Sequence, residues 1–579
     1  MEEPTIGGAG APGRDPHHQG AIVTPIRPDI DPTDKRPLIR LGADLKPNVD
    51  AAIEGLGEDP ELYQRDATLV RVTHATGDEA PVIRPHTVAT LRVRLSEFCR
   101  FQRFEKKKDD GGEWVNALPP DTVTKAVIEQ ASWPSARILA GVVESPFARP
   151  DLTIVDGPAR FDEVTGYLYQ PTGTFPQVRE NVSQERAAAA LRFAWVGLCY
   201  DFPFRGMGYA DDPNGADADG SLRFSEAVKH PDAWGVIAAI MTLIARPAIT
   251  GSIPAIVFDA STPGSGKGLQ ADLVSIVASG RMPGKLTWPN RGTETNAEVE
   301  KMLQGEARSG ATITVLDEIT GAFGGPAINN VLTGEGWAKF RILGVGETQK
   351  LRWSSVLLGT GNNISFADNT HRRILLPRLE PPVERPEEHK GFRHADLKGW
   401  ARENRPRLVA ALLTVLRGYA CAGRPETDLP IMGGFESWSA IVPRAIRWAG
   451  GGDVLGCRPT VDPEARNEER DTMALILASL ARLQPTDGSG LTMGAFLNLL
   501  YPSDRLRGEY DRTVDDGHED AREAIESITR AKSGRKPDAK PLGDRLKVWK
   551  KRPIGAQQFE RVEVDRNGSV KWRVAPVKK

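Results

Sequence analysis

The chain has 579 residues, of which 40% are hydrophobic and 26% charged, with a formal net charge of −2. That length exceeds one ordinary domain and predicts about three or four. The near-neutral balance excludes nucleic-acid binding by global basicity, so any such site must be a local patch.

The four cysteines, Cys99, Cys199, Cys421 and Cys457, form no CxxC pair. Neither a zinc ribbon nor a disulfide framework is indicated, and a reducing, intracellular setting fits. The N-terminus lacks the basic and apolar regions of a signal peptide. The most apolar window, Trp234 to Ile244, is too short to span a bilayer, so no membrane partner is expected.

Residues 1–35 are rich in Gly, Pro, Asp and His without periodicity and are expected to be a disordered tail. His17-His18 within it is a solvated pair rather than a metal site. Residues 36–205 carry a mixed α+β pattern. Asn48 to Ile53, Pro60 to Arg65, His86 to Phe104 and Asp121 to Gln130 are predicted helical, with Leu91, Leu95 and Phe98 on one face of the third. Thr68 to Thr73, Ala140 to Val143, Leu152 to Val155 and Tyr167 to Tyr169 are predicted strands. Gln184 to Cys199 is a helix. The acidic run Asp211 to Gly220 offers a calcium-loop spacing with Asp217, Asp219 and Glu226 as ligands. Its first position would be Gly215 and no entering helix precedes it, so a solvated acidic loop is expected. Asp232 to Arg246 is apolar nearly all round and predicts a buried helix.

The stretch that organises the rest is Pro254 to Lys267. An apolar strand, Ala255 to Phe258, runs into Ser261-Thr262-Pro263-Gly264-Ser265-Gly266-Lys267-Gly268, followed by an apolar helical pattern to Val277. In such a strand–loop–helix the backbone N–H groups face inward, the helix N-terminus adds partial positive charge, and the lysine reaches the β- and γ-phosphates of a nucleotide. Against G-x-x-x-x-G-K-[ST], Ser261 replaces the first glycine and Gly268 replaces the hydroxyl residue that binds magnesium.

About fifty residues later the apolar strand Ala311 to Leu316 ends in Asp317-Glu318. A nucleotide hydrolase needs such a pair at the carboxyl end of the strand neighbouring the loop strand. Asp317 would hold Mg2+ through water and Glu318 would polarise the attacking water. A further strand, Val356 to Gly361, ends in Asn362-Asn363, where an amide can orient the lytic water. Arg372-Arg373 precedes the strand-like Ile374 to Leu379 and suits a charge delivered to a neighbouring subunit's γ-phosphate. Between the acids and the amides, two short strands flank a Gly344-Val345-Gly346 turn and carry Lys339, Arg341 and Lys350. A basic hairpin of this kind can track a phosphate backbone. The alternative is a surface hairpin with scattered charge.

The motifs STPGSGKG, ITVLDE, LTGEGWAKFRILGVGETQKLRW, LLGTGNN and DNTHRR, all between Ser261 and Arg373, resemble the superfamily three helicase branch of AAA+ ATPases. More narrowly they resemble phage and mobile-element primase-helicases. The resemblance implies an α/β fold: a central P-loop AAA+-like ATPase domain over 206–395, the α+β domain before it, and helical and winged-helix parts behind it. It implies ATP and Mg2+ as cofactors, a homo-hexamer or similar ring on single-stranded or forked DNA, and a cytoplasmic site in a bacterial cell or phage-infected host. By position Lys267, Asp317, Glu318 and Asn362 or Asn363 act within one subunit, and Arg372 or Arg373 reaches into the next. No primase centre is found, so priming, if part of this system, is expected of a separate primase or polymerase chain.

Residues 396–485 are expected to be a helical region, with helices at Leu397 to Cys421 and Glu464 to Leu483. Residues 486–579 are expected to be a winged-helix-like, basic DNA-binding domain. There, Thr492 to Tyr501 and Pro541 to Lys550 are helical, and Gln558 to Val564 and Val570 to Val574 flank an Asn567-Gly568 turn. Arg530, Lys532, Arg535, Lys536, Lys540, Arg545, Lys547, Lys550, Lys551 and Arg552 face only Asp538 and Asp544, the one strongly basic region. The expected function is an ATP-dependent DNA helicase or translocase in phage or mobile-element replication. Two alternatives are a replication initiator or loader with weak hydrolysis, motivated by Gly268, and a small-molecule phosphotransferase resembling adenylate kinase.

Overall fold

The computed structural model describes residues 34–74, 80–107, 111–130, 132–210, 217–289, 295–341, 348–367, 369–459, 463–501, 517–529, 531, 535–550, 554, 556–564 and 570–576. Several expectations lie outside them: His17-His18, Asp211 to Ala216, the Gly344 to Gly346 and Asn567-Gly568 turns, Arg530, Lys532, Lys551 and Arg552. The chain forms two compact units, Met1–Pro459 and Thr460–Lys579.

The first unit is built on a parallel sheet. Its spatial order is Lys285–Thr287, Ile313–Ile319, Val356–Asn362, Ala255–Ala260 and Ile374–Leu375, with Arg378–Leu379 pairing the same edge of the loop strand Ala255–Ala260. All six residues of the loop strand are buried. Its alternate residues feed two cores: Ile256 and Phe258 pack on one face, Ala255 and Val257 on the other. That is the two-sided burial of a parallel sheet with helices on both faces. The first face holds Lys267–Ser279, Gly235–Ile244, Gln184–Cys199 and Leu397–Cys421; the second holds Thr295–Ser309 and Pro326–Thr333. Every residue of Gly235–Ile244 is buried, as its all-round apolarity predicts.

In the sequence reading the acid pair sits on the strand neighbouring the loop strand. Instead the amide strand Val356–Asn362 lies between them, bonded to both. Lateral order in a parallel sheet is set by the crossovers, which no local pattern encodes.

Two N-terminal expectations change as well. Pro60 to Arg65 is a turn leading into the strand Tyr63–Arg65, which turns through Asp66 (φ 52°) to pair with Thr68–Thr73. Tyr63 and Arg65 are buried while Gln64 is half-exposed, a period of two that a six-residue window does not separate from a helical turn. The helix predicted over His86 to Phe104 spans Val88–Phe98, opened by a Thr87–Thr90 capping box. Arg100–Lys106 is a strand between Leu38–Arg40 and Gly112–Ala117, and these partners, distant in sequence, override the helical pattern.

In the second unit Pro463–Leu483, Met493–Leu500, Glu519–Thr529 and Ala539–Trp549 surround one core, with a three-stranded sheet in the order Leu491–Thr492, Val570–Pro576, Gln557–Val564. Pro463–Leu483, grouped by sequence with residues 396–485, contributes Met473, Ile476 and Leu480 to this core.

Candidate functional site

The loop strand ends at Ala260 and the chain turns through the glycine-rich loop into Lys267–Ser279. Gly264 (φ 76°) and Gly266 (φ 97°) adopt left-handed backbone that L side chains rarely take. A Cβ on Gly264 would also stand 2.6 Å from Glu387 Oε2. Ser261, at the first glycine position of the pattern, has no positive φ. Its N–H donates to Leu379 O at 3.1 Å, and its carbonyl accepts from Asn363 Nδ2 at 3.1 Å. Serine therefore costs this loop no backbone strain. Thr262 and Ser265 close the loop on itself, their hydroxyls 3.2 Å apart. Lys267 is the first residue of the helix, and its ammonium has no hydrogen bond or ion pair among the described residues.

The acid pair sits on a bulge. The acid strand pairs with the amide strand at Leu316–Gly359 and resumes at Ile319–Gly361, so Asp317 and Glu318 together face Thr360. Thr360 serves both acids: its hydroxyl donates to Asp317 Oδ1 and accepts the Glu318 N–H at 3.4 Å. Glu318 has φ 56°, an uncommon conformation for a non-glycine residue, and is exposed. Burial raises the Asp317 pKa, but the Thr360 hydroxyl and the Lys285 ammonium outweigh it and hold the carboxyl below its usual value.

Lys285 begins the edge strand Lys285–Thr287. Its ammonium lies 3.4 Å from Asp317 Oδ2 and 3.2 Å from Asp272 Oδ1, while Lys398 holds the other Asp272 oxygen at 3.1 Å. Desolvation works against the Lys285 charge, but these two carboxylates raise its pKa regardless. A Cβ on Gly268 would be 3.7 Å from Lys285 Nζ, in ordinary van der Waals contact. Space thus exists for a hydroxyl residue at 268, and a lysine charge stands beside the place where one would project.

The two asparagines separate. Asn363 (φ 48°) is committed: besides holding Ser261 O, its Oδ1 accepts from Arg378 Nη2 at 2.8 Å. Arg378 also pairs with the buried Asp259 of the loop strand, whose pKa burial raises and Arg378 partly restores. Asn362 ends its strand exposed, with no side-chain partner among the described residues. The arginines separate likewise. Arg373 donates to Asn329 Oδ1 at 2.7 Å, whereas Arg372 is exposed and has no side-chain partner among the described residues.

Trp337–Arg341 and Thr348–Arg352 form the expected antiparallel pair. Ala338, Phe340 and Leu351 are buried; Lys339, Arg341 and Lys350 are exposed. Lys339 lies directly opposite Lys350. Like charges so placed are destabilising. Lys350 and Arg352 both rest over the Trp337 ring, at 4.8 and 4.6 Å from its centroid.

In the second unit Leu542, Leu546 and Trp549 bury one face of Ala539–Trp549, leaving Arg545, Lys547 and Lys550 exposed. Lys547 pairs with Asp544 at 2.6 Å. Asp217 of the acidic run caps the helix Ser221–Ala227, accepting from Leu222 N at 2.8 Å and Arg223 N at 3.0 Å. Among the described residues no group of three or more His, Cys, Asp or Glu is arranged to hold a metal. Among them, too, no helix is long and apolar enough to cross a membrane.

Sequence reasoning passed over Thr360, Lys285, Asp272 and Arg378. Thr360 alone left a signal, a polar residue between two glycines at the end of an apolar strand.

No family model and no curated protein matches this chain. Among solved structures, it is similar to the apo C-terminal region of NrS-1 at 9% identity and a TM-score of 0.31, covering 87% of this chain and 96% of that one. It is also similar to the JCV helicase at 14% identity and a TM-score of 0.18, covering 51% and 72%.

Proposed function

We propose that the protein is an ATP-dependent DNA helicase or translocase that hydrolyses ATP between subunits of a ring. The observation that carries this reading is the meeting of the loop lysine, the acid pair and Asn362 at the carboxyl edge of one parallel sheet, with Thr360 bonded to both acids. Lys267 binds the β- and γ-phosphates with the loop N–H groups. Asp317, kept ionised, is the residue to hold Mg2+, which when bound would neutralise charge on the phosphates. Asp317 would be the side chain that holds that ion, since Gly268 adds no ligand. Glu318 polarises the attacking water, and Asn362 orients it. Arg372 meets the γ-phosphate of the adjacent subunit. The face bearing Lys339, Arg341 and Lys350 tracks DNA, and Arg545, Lys547 and Lys550 add a second basic contact.

A loader with weak hydrolysis is the second reading, favoured by Gly268 and the adjacent Lys285 ammonium. Strand displacement on a forked duplex, measured with ATPase activity and mass in solution, separates the two. The helicase reading expects unwinding that Lys267→Ala lowers at least ~100-fold. ATP-dependent assemblies on DNA without unwinding establish the loader. A monomer whose ATPase ignores DNA overturns both and favours a phosphotransferase, and normal hydrolysis by Lys267→Ala overturns the site itself.

A further inference from the structure

The N-terminal part of the first unit contains a cavity of about 590 Å³ that the ATPase reading leaves without a role. It lies between the sheet Val82–Pro85, Thr68–Thr73, Tyr63–Arg65, Arg137–Ile138, the sheet Arg160–Asp162, Tyr167–Tyr169, Gly141–Val143, and the helix Val88–Phe98. That volume falls within the ~300–1,000 Å³ of small-ligand sites.

Its lining has two kinds of surface. One is apolar and aromatic: Tyr63 and Leu168 are buried, and the rings of Tyr63 and Phe161 lie 5.8 Å apart at 33°. The other is cationic, with Arg71, Arg94, Arg137 and Arg160 against a single acid, Glu61. Arg94 is neutralised by Asp59 and by Glu97 at 3.0 Å, and Arg137 by Glu163 at 3.2 Å. Arg160 donates to the carbonyls of Asp156 and Pro158 and lies over the Tyr169 ring, and neither it nor Arg71 has an acid partner among the described residues. Two positive charges are therefore uncompensated. His86, also on the wall, records the field: burial and then Arg71 and Arg94 push its pKa down to about 4.

An inorganic anion would answer only the arginines. A ligand with an anionic group and a flat π face answers the arginines and the rings together.

We propose that this cavity binds a nucleotide unit, its phosphate at Arg71 and Arg160 and its base against Tyr63 and Phe161. Either a free nucleotide or one residue of a single strand supplies that chemistry. The inference does not rest on the ATPase reading, which Lys267→Ala tests separately.

The test is photocrosslinking of the full-length protein to an iodouracil-substituted oligodeoxynucleotide without ATP, with adducts located by peptide mass spectrometry. Adducts are expected at Tyr63 or Phe161, reduced by about fivefold or more in Arg71→Ala/Arg160→Ala protein of unchanged melting midpoint. Protection by excess thymidine monophosphate identifies a free-nucleotide site. Protection by unlabelled oligonucleotide alone identifies a strand site. The parent protein's adduct map needs no variant. Its lack of label at both aromatics overturns the proposal. So does label undiminished in a folded double variant, or protection by inorganic phosphate equal to that by the nucleotide.

Discussion

Thr360 is the residue on which the arrangement of the acid pair turns. One hydroxyl bonds both Asp317 and the backbone of Glu318, across a bulge that puts two residues opposite one. Thr360→Val keeps the shape and removes both bonds. Turnover is expected to fall on the order of 100-fold, as for a misplaced catalytic group. Affinity for a fluorescent ATP analogue should stay near the parent's, because Lys267 and the loop are untouched. Retained turnover would show that the bulge holds the acids unaided. A second residue-scale consequence concerns stability. His86 has a folded pKa of about 4 against an ordinary 6.5. Between those values the unfolded chain binds the extra proton, so this contribution is complete above pH 6.5 and lost as pH falls towards 4. At full loss it amounts to roughly 3 kcal/mol. His86→Gln should flatten the fall in melting midpoint over that window, and an unchanged slope would assign the acid sensitivity elsewhere.

At the scale of elements, the basic hairpin is fastened to the N-terminal sheet. The buried Arg65 guanidinium donates to Arg352 O at 3.1 Å and Ser354 Oγ at 3.4 Å, and it also reaches Ala140 O. The Arg352 N–H meets Asp66 Oδ2 at 3.4 Å. The hairpin base is thus anchored while Lys339, Arg341 and Lys350 face solvent. Lys339→Ala/Lys350→Ala should weaken single-strand binding and lower the salt slope by ~1 per lost phosphate contact. ATPase without DNA should be unchanged, and because a repulsive Lys–Lys pair is removed the melting midpoint should not fall. An unaltered salt slope would make this a surface hairpin. The hairpin was legible because period-two alternation and basic residues coincide locally. The strand Tyr63–Arg65 was not, because its partner strands, not its own pattern, decide its conformation.

For the whole molecule, the proposed ring makes the exposed Arg372 the residue to test for a site completed between copies of the chain. Arg372→Ala should retain ATP binding and lose about 10³-fold in turnover, as arginine fingers do. Arg373→Ala should act chiefly on stability through its bond to Asn329. Mixing Arg372→Ala with Lys267→Ala protein should restore part of the turnover, because an intact lysine and an intact arginine then meet at some interfaces. No recovery on mixing would place the arginine within its own subunit.

The ordered series of loop lysine, acid pair, basic hairpin, amide and arginine pair is legible in the residues alone. Each depends on a short apolar run and the polar residues that end it. Only the tertiary structure decided which strand lies beside which, and so that the amide strand separates the loop from the acids. It also decided which member of each pair is engaged: Asn363 and Arg373 are hydrogen-bonded to neighbouring side chains, while Asn362 and Arg372 have no side-chain partner among the described residues. Lys285, Asp272, Arg378 and Thr360 took their places around the loop in the same way. Their spacing in sequence is set by intervening crossovers and loops, whereas their distances in space are set by strand register, and a one-residue change of register would undo them.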